Sequence, residues 1–387
     1  MSQAGTPAHK MKQLSVLGSY IMKNPNRYYK ERIRRLQKRL KESQMSGVIL
    51  VPGPNLRYYT GSQSIMMERI FMLFVPRDAV PHLVVPDFEA GEFMESGLMV
   101  HKWNDRDGPS RALREVSDQL SMKKHWGLEG RVPFRFLRLL MKYANPKFVD
   151  AEPILERMRV IKDDVELGLL RRSATTLGRS YLKISEFLRS GATENDLAGK
   201  LTADIYSNGA ESVFAVSVQA GERAAEPHSP SSSRKMRRDE PVVIDIASTY
   251  LGYFADITRT VAIGRGARFE DLYCSVLAAQ EEAIEILKPG VTVASVDAAA
   301  RTRLRKDKLA DYFLTRTGHG IGLDVHEAPY LVAGGTQTLQ SGMVHTIEPG
   351  VYIHGELGIR IEDDVLITAT GHRSISSAVP KTFGWWN

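Results

Sequence analysis

The sequence predicts a two-part chain, α/β in its first part and α+β in its second, and three patterns carry that prediction. From residue 47 to 143, strand-sized apolar runs that stop at proline alternate with helix-period stretches, as in an α/β domain. From 152 to 209 apolar residues recur every three or four positions. Beyond 210, short β-branched runs dominate, and helical stretches over 269–287 and 295–306 interrupt them.

Residues 1–27 read as a basic lead-in. The spacing of Ile33, Leu36, Leu40 and Met45 predicts an amphipathic helix over 31–45. Gly47-Val48-Ile49-Leu50-Val51-Pro52 is a buried strand stopped by Pro-Gly-Pro. Strands over 71–75 and 82–85 are each closed by proline, and helices follow near 88–96, 109–122 and 133–143. Leu155, Met158, Ile161, Val165 and Leu169 then share one helical stripe, and a further helix covers 174–188. Ser190-Gly191-Ala192-Thr193 breaks the pattern, and Thr193 with Asp196 forms a capping signal for the next helix. Later strands are predicted over 213–218, 242–246, 258–263, 344–347, 350–353 and 365–367.

Composition narrows the class. Apolar residues make up 43% and charged residues 25%, which excludes collagen-like and disordered chains. No apolar run approaches the roughly 18–20 residues that span a bilayer, so no membrane partner is expected. No secretory apolar core is seen, and the lone Cys274 has no disulfide partner, so a reducing, cytoplasmic setting is expected. Cys274 itself is expected in the core of the 269–287 helix. The net charge of +7 is uneven: residues 1–42 hold 11 Lys/Arg against Glu31 and Glu42, and the remainder sums to −2. With Tyr28 and Tyr29 the aromatics set among the basic residues 27–41, nucleic acid is not an expected partner.

The chemistry gathers in the second half. Asp245 follows the apolar run Val242-Val243-Ile244, and Asp256 lies 11 residues on, so a hairpin would bring the two carboxylates together. His319 sits in Gly318-His319-Gly320-Ile321-Gly322. Glu348 ends the apolar run over 343–347, and Glu362 stands among strand formers 14 residues later. A lone buried carboxylate costs several kcal/mol unless paired or metal-bound. Four carboxylates balance two divalent cations, and one imidazole with four carboxylates is a hard, oxygen-rich set. That favours Mn²⁺, Fe²⁺ or Co²⁺ over a thiolate zinc site.

These motifs resemble the metallopeptidases of pita-bread fold: prolidases, Xaa-Pro aminopeptidases, methionine aminopeptidases and the creatinases. The stretch from Arg32-Ile33-Arg34-Arg35-Leu36 to Pro54-Asn55-Leu56-Arg57-Tyr58-Tyr59-Thr60-Gly61 is similar to the start of a creatinase/prolidase N-terminal domain. The resemblance implies an α+β pita-bread catalytic domain over 156–387, preceded by a smaller α/β creatinase-like N-terminal domain over 28–155. It implies that Asp245, Asp256, His319, Glu348 and Glu362 hold two divalent ions, with Mn²⁺ the expected metal and Co²⁺, Fe²⁺ or Zn²⁺ the alternatives. Asp256 and Glu362 would bridge the ions, a shared water or hydroxide would be the nucleophile, and Glu348 would accept its proton. His228 and His326 would line the substrate site. Arg360, expected on the strand face of Glu362, would orient the bridging carboxylates. The implied reaction is exopeptidase cleavage of Xaa-Pro bonds in small peptides, dipeptide or longer, by a homodimer.

Some residues depart from that family's pattern. Ile246-Ala247 replaces a small pair after Asp245, and Arg234-Lys235-Met236-Arg237-Arg238 makes the loop before it basic. His345 stands where an apolar residue is usual and is expected to be a satisfied core histidine. The same fold and metals acting on a small non-peptide molecule, by C–N hydrolysis or elimination, is the alternative activity. A non-catalytic binding homologue is the alternative class.

Overall fold

The computed structural model describes residues 25–386 other than 123, so most of the basic lead-in expected over 1–27 lies outside the described residues. The chain divides into two compact units, Met1–Arg159 and Val160–Asn387.

In the first unit α1 (Pro25–Lys41) precedes β1 (Gly47–Leu50), α2 (Pro54–Thr60), β2 (Met72–Pro76), β3 (His82–Pro86) and β4 (Met99–Trp103). Then come α3 (Ser110–Gln119), β5 (His125–Leu128), α4 (Phe134–Leu140), β6 (Lys147–Asp150) and α5 (Glu152–Arg159). The strands form one mixed sheet in the order β4-β3-β2-β1-β5-β6. β1, β2 and β3 are buried along their whole length, which is why they read as unbroken apolar runs. α1 begins earlier and ends earlier than its apolar spacing predicts. The Arg32 guanidinium lies 4.2 and 3.9 Å from the ring centroids of Tyr28 and Tyr58, an aromatic clasp that periodicity does not register. The helix expected near 88–96 is a 3₁₀ segment, Asp87–Phe93.

The second unit opens with α6 (Asp164–Tyr181), α7 (Ile184–Phe187) and α8 (Glu194–Ser207). The stripe from Leu155 to Leu169 is therefore two helices. Asp163 accepts from the backbone of Val165 and Glu166 while the Glu166 side chain reaches back, a capping box that restarts the helix. The expected box of Thr193 and Asp196 starts α8. β7 (Ser212–Ala220), β8 (Pro241–Tyr250) and β9 (Tyr253–Ala262) form an antiparallel sheet. α9 (Glu270–Glu285) and α10 (Val293–Lys306) lead to β10 (Gly318–Gly320), β11 (Glu327–Leu331), β12 (Val344–Ile347), β13 (Gly350–Ile353), β14 (Leu357–Arg360), β15 (Asp363–Ile367) and β16 (His372–Ser374). A second sheet runs β11-β10-β12-β15-β16, and β13-β14 is a separate hairpin.

One core joins these layers: Tyr181 of α6, Leu201 of α8, Tyr273 of α9 and Ala300 of α10 pack with Ile244 and Ile257 of the β8–β9 hairpin. Cys274 is not in it. On α9 the inward positions are Tyr273, Val276, Ala279, Gln280 and Ala283, and Cys274, one step off that stripe, is exposed. Among the described residues no helix is long and apolar enough to cross a membrane.

Candidate metal centre

The β8–β9 hairpin sets two of the carboxylates. Leu251 and Gly252 form its two-residue turn with φ of 47° and 80°, the doubly left-handed geometry that matches strand twist. Its register puts Asp245 opposite Thr258 and Ala247 opposite Asp256. Asp245 and Asp256 are thus diagonal neighbours on one face, but Asp245 lies mid-strand rather than at a strand end, because β8 continues to Tyr250.

His319 comes from β10, which threads between β11 and β12. A Cβ at position 318 would lie 1.9 Å from the Thr346 carbonyl oxygen, and one at 320 would lie 2.7 Å from that of Ala328, so only glycine fits on either side of the histidine. The Thr346 hydroxyl accepts the His319 backbone N–H at 3.1 Å. Nδ1 of His319 is 3.0 Å from the Gly320 carbonyl oxygen, which fixes the ring and leaves the Nε2 lone pair outward. Nε2 lies 3.2 Å from Glu348 Oε1. Two lone-pair groups so close require a proton or a cation between them.

Glu362 occupies the passage between β14 and β15, so Arg360 and Glu362 do not share a strand face as expected. The Glu362 backbone N–H donates to the Thr258 carbonyl at 3.0 Å, and the Thr258 hydroxyl donates to Glu362 Oε2 at 2.6 Å. Arg360 donates to Asp245 Oδ2 at 2.6 Å, to Tyr352 Oη at 2.9 Å and to Thr258 Oγ1 at 3.2 Å. It therefore holds Asp245 directly, and its hydrogen-bond path to Glu362 runs through Thr258, while its charge acts on Glu362 as well. Thr258 and Tyr352 are not singled out by the sequence reading. Thr258, two residues beyond Asp256 on a strand, shares its face by the period of two.

Ligating atoms of Asp256, His319 and Glu362 all lie within 4.8 Å of one another, and all three residues are buried. Asp245 and Glu348 flank this trio through Arg360 and His319. Oδ1 of Asp256 is buried with no hydrogen-bond partner. Burial first, and then the charges of Glu362, Asp245 and Asp364, drive the Asp256 carboxyl well above its ordinary pKa. Glu362 is raised in the same way by burial and by Glu348 and Asp245. Burial also raises Glu348, but the hydrogen bond and charge of His319, with Arg360 and Arg316, leave it below its ordinary value. An oxygen-rich donor set with an orphaned buried oxygen and mutually repelling carboxyls fits divalent cations.

The His326 ring stands at 79° to that of His319, with centroids 4.3 Å apart. Its outer edge is exposed, but loss of solvent on its inner side, then the charges of His319 and Arg316, push it down to about 4. His228 is exposed on the turn after Gly221–Ala225, close enough for its charge to act on His326. His345 is fully buried, as expected of a core histidine, and the Pro329 backbone is a polar neighbour outside good hydrogen-bond geometry. Burial and the Lys162 charge hold it neutral, with a pKa of about 3.

A creatinase/prolidase N-terminal unit ahead of a buried acid-and-imidazole cluster defines a metallopeptidase. Residues 168–369 match metallopeptidase family M24, and residues 32–161 match the creatinase/prolidase N-terminal domain. A probable dipeptidase, PepE, of Mycobacterium tuberculosis is 36% identical over 340 residues, covering 86% of this chain and 90% of that one. The Xaa-Pro dipeptidase of Pyrococcus horikoshii is 30% identical over 349 residues, 89% of this chain and 97% of its own. The crystal structure of a recombinant prolidase from Thermococcus sibiricus superposes with a TM-score of 0.86 at 31% identity, over 90% of this chain and 96% of that one. The chain belongs to metallopeptidase family M24 and has its pita-bread fold, behind a creatinase-type N-terminal domain.

Proposed function

We propose that this enzyme is a dinuclear-metal exopeptidase that hydrolyses Xaa-Pro bonds in small peptides. The observation that carries the reading is the convergence of Asp256, His319 and Glu362 around an orphaned carboxylate oxygen. The names of the Pyrococcus and Thermococcus relatives support the Xaa-Pro specificity. Asp245, Asp256, His319, Glu348 and Glu362 would hold two divalent ions, Mn²⁺ first among them. Ions held there would polarise the scissile carbonyl and lower the pKa of a shared water from about 15.7 toward about 7.

The chain's own groups divide the remaining work. Glu348, held below its ordinary pKa, is a carboxylate at neutral pH and can take the proton that the attacking water loses. It can return that proton to the proline nitrogen, a basic leaving group. His326, neutral at pH 7, offers an N–H to the substrate carbonyl without adding a positive charge beside the metals. His228, close enough for its charge to act on His326, would supply a second donor to the substrate. Arg360 keeps Asp245 aimed.

The reading includes a homodimer, tested by sedimentation, and a reducing, cytoplasmic setting, supported by the lone cysteine. The deciding experiment measures metal content and proline release from Xaa-Pro and Xaa-Pro-Yaa peptides with Mn²⁺, Co²⁺ and Zn²⁺ supplied separately. Bound metal with no proline release would refute the peptide specificity, and absence of stoichiometric metal would refute the centre.

A further inference from the structure

His228 sits on an arch of chain that leaves β7 at Ala220 and runs to Ser232. Beyond the 3₁₀ turn Gly221–Ala225 the arch has no regular structure, so its shape depends on side chains. Both of its feet stand on one carboxylate. Glu194, the first residue of α8, is completely buried. Its Oε1 accepts the Ala220 backbone N–H at 2.8 Å. Its Oε2 accepts the Ser232 backbone N–H at 2.9 Å, the Ser232 hydroxyl at 2.6 Å and Arg223 Nε at 3.1 Å. Arg223 then donates from Nη2 to the Pro230 carbonyl at 2.7 Å, which ties the inside of the arch to the same anchor.

A buried carboxyl group is costly unless donors satisfy its oxygens, and here every donor to the Glu194 side chain belongs to the arch. Its own helix does not need it, because Thr193 and Asp196 already cap α8. Glu194 therefore does little for its helix and a great deal for the segment that carries His228.

We propose that Glu194 is a positioning residue for His228: it sets the height of the arch over the metal centre while touching neither substrate nor metal. The inference rests on the reading of His228 as a substrate-facing group. Glu194→Gln keeps the shape but turns one acceptor oxygen into an NH₂ facing N–H and O–H donors, so one foot of the arch must let go. A shift of about 1 Å in a reacting group costs on the order of 10²-fold in rate.

The test is a double-mutant cycle on the full-length Mn²⁺-loaded enzyme, reading kcat/KM on an Xaa-Pro dipeptide, metal per chain and the urea midpoint. Glu194→Gln and His228→Ala should each lower kcat/KM about 10²-fold. The double variant should fall no more than about twofold below the weaker single, since both changes remove the same interaction. Metal content should be unchanged in all three. Losses that multiply in the double variant, or normal turnover in Glu194→Gln, would overturn the inference. Normal turnover in His228→Ala would instead overturn the role given to His228 itself. Should Glu194→Gln fail to fold, Ser232→Ala removes the hydroxyl that donates to Glu194 at 2.6 Å and accepts the Arg234 backbone N–H at 3.1 Å, and the same non-additivity with His228→Ala is expected; additive losses there would also overturn it.

Discussion

Loading the centre with Mn²⁺ should release protons. Asp256 and Glu362 are buried and crowded by other carboxylates, and both are held well above their ordinary pKa without a cation. A cation reverses that preference, because it stabilises the ionised form of each ligand. The expected release is up to one proton from each of these two carboxyls, and each displaced proton makes binding tighter by about 1.4 kcal/mol per unit rise in pH. The linked stability has a definite sign. A carboxyl whose folded pKa exceeds its unfolded value binds more protons folded than unfolded, so the metal-free protein loses stability as pH rises through this window. Partly desolvated His326 and buried His345, pushed down to about 4 and about 3, act in the opposite direction below about pH 6.5, because unfolding lets them protonate. Comparing metal-free with loaded protein at one pH largely removes the histidine contribution. Titration calorimetry in buffers of different ionisation enthalpy counts the protons directly. Heats independent of buffer, hence no proton release, would refute the placement of these carboxyls around a cation. Asp256→Asn should release about one proton fewer than the parent.

Glu348→Gln should lower kcat by about 10²–10⁴ with metal still bound, as expected for loss of a proton acceptor, and near-normal turnover would exclude that role. Arg360→Met removes the 2.6 Å ion pair with Asp245, and metal affinity should fall about 10–100-fold by chelator competition. Lys162 Nζ and Glu327 Oε2 pair at 3.0 Å with both side chains buried. Lys162→Met should therefore cost about 3–5 kcal/mol in urea unfolding, and Lys162→Met with Glu327→Leu should recover most of that loss.

The elements most legible in the sequence are those whose local chemistry and tertiary role agree. Thr193 and Asp196 cap α8 where the residues themselves favour a cap, and 344–347 and 350–353 are strands because apolar β-branched runs stop at charged or turn residues. The failures have equally local causes. Asp163 restarts a helix inside a continuous apolar stripe, which a hydrophobic period cannot detect. Cys274 is a residue type usually found inside, but its inward neighbour Tyr273 takes the core position on α9. Arg32 of α1 lies between two tyrosines 30 residues apart, a contact no window contains.

The centre was readable for a different reason. A carboxylate in an apolar strand is an anomaly at sequence level, and several such anomalies call for one common compensation. What supports them carries no such signal. Thr258, Tyr352 and Glu194 are ordinary residues in ordinary settings, and their roles come from register and crossing geometry: Thr258 because Asp245 lies opposite it, Tyr352 because β14 returns beside it. Asp364 shows the limit most clearly. It stands two residues after Glu362, its backbone neighbours form a regular strand, and only the fold reveals that Oδ2 receives the Asp256 backbone N–H at 3.2 Å while Oδ1 is buried without a partner. Burial raises that carboxyl too, despite the hydrogen bond from Asp256. The ligand strand β9 is thus steadied from behind by a group that sequence reasoning would class with any strand acid. Asp364→Asn, which preserves an acceptor oxygen and removes the charge, should leave metal stoichiometry intact and raise the urea midpoint of the metal-free protein at pH 8. A lowered midpoint would mean that the ionised carboxylate, rather than its shape, is what holds β9.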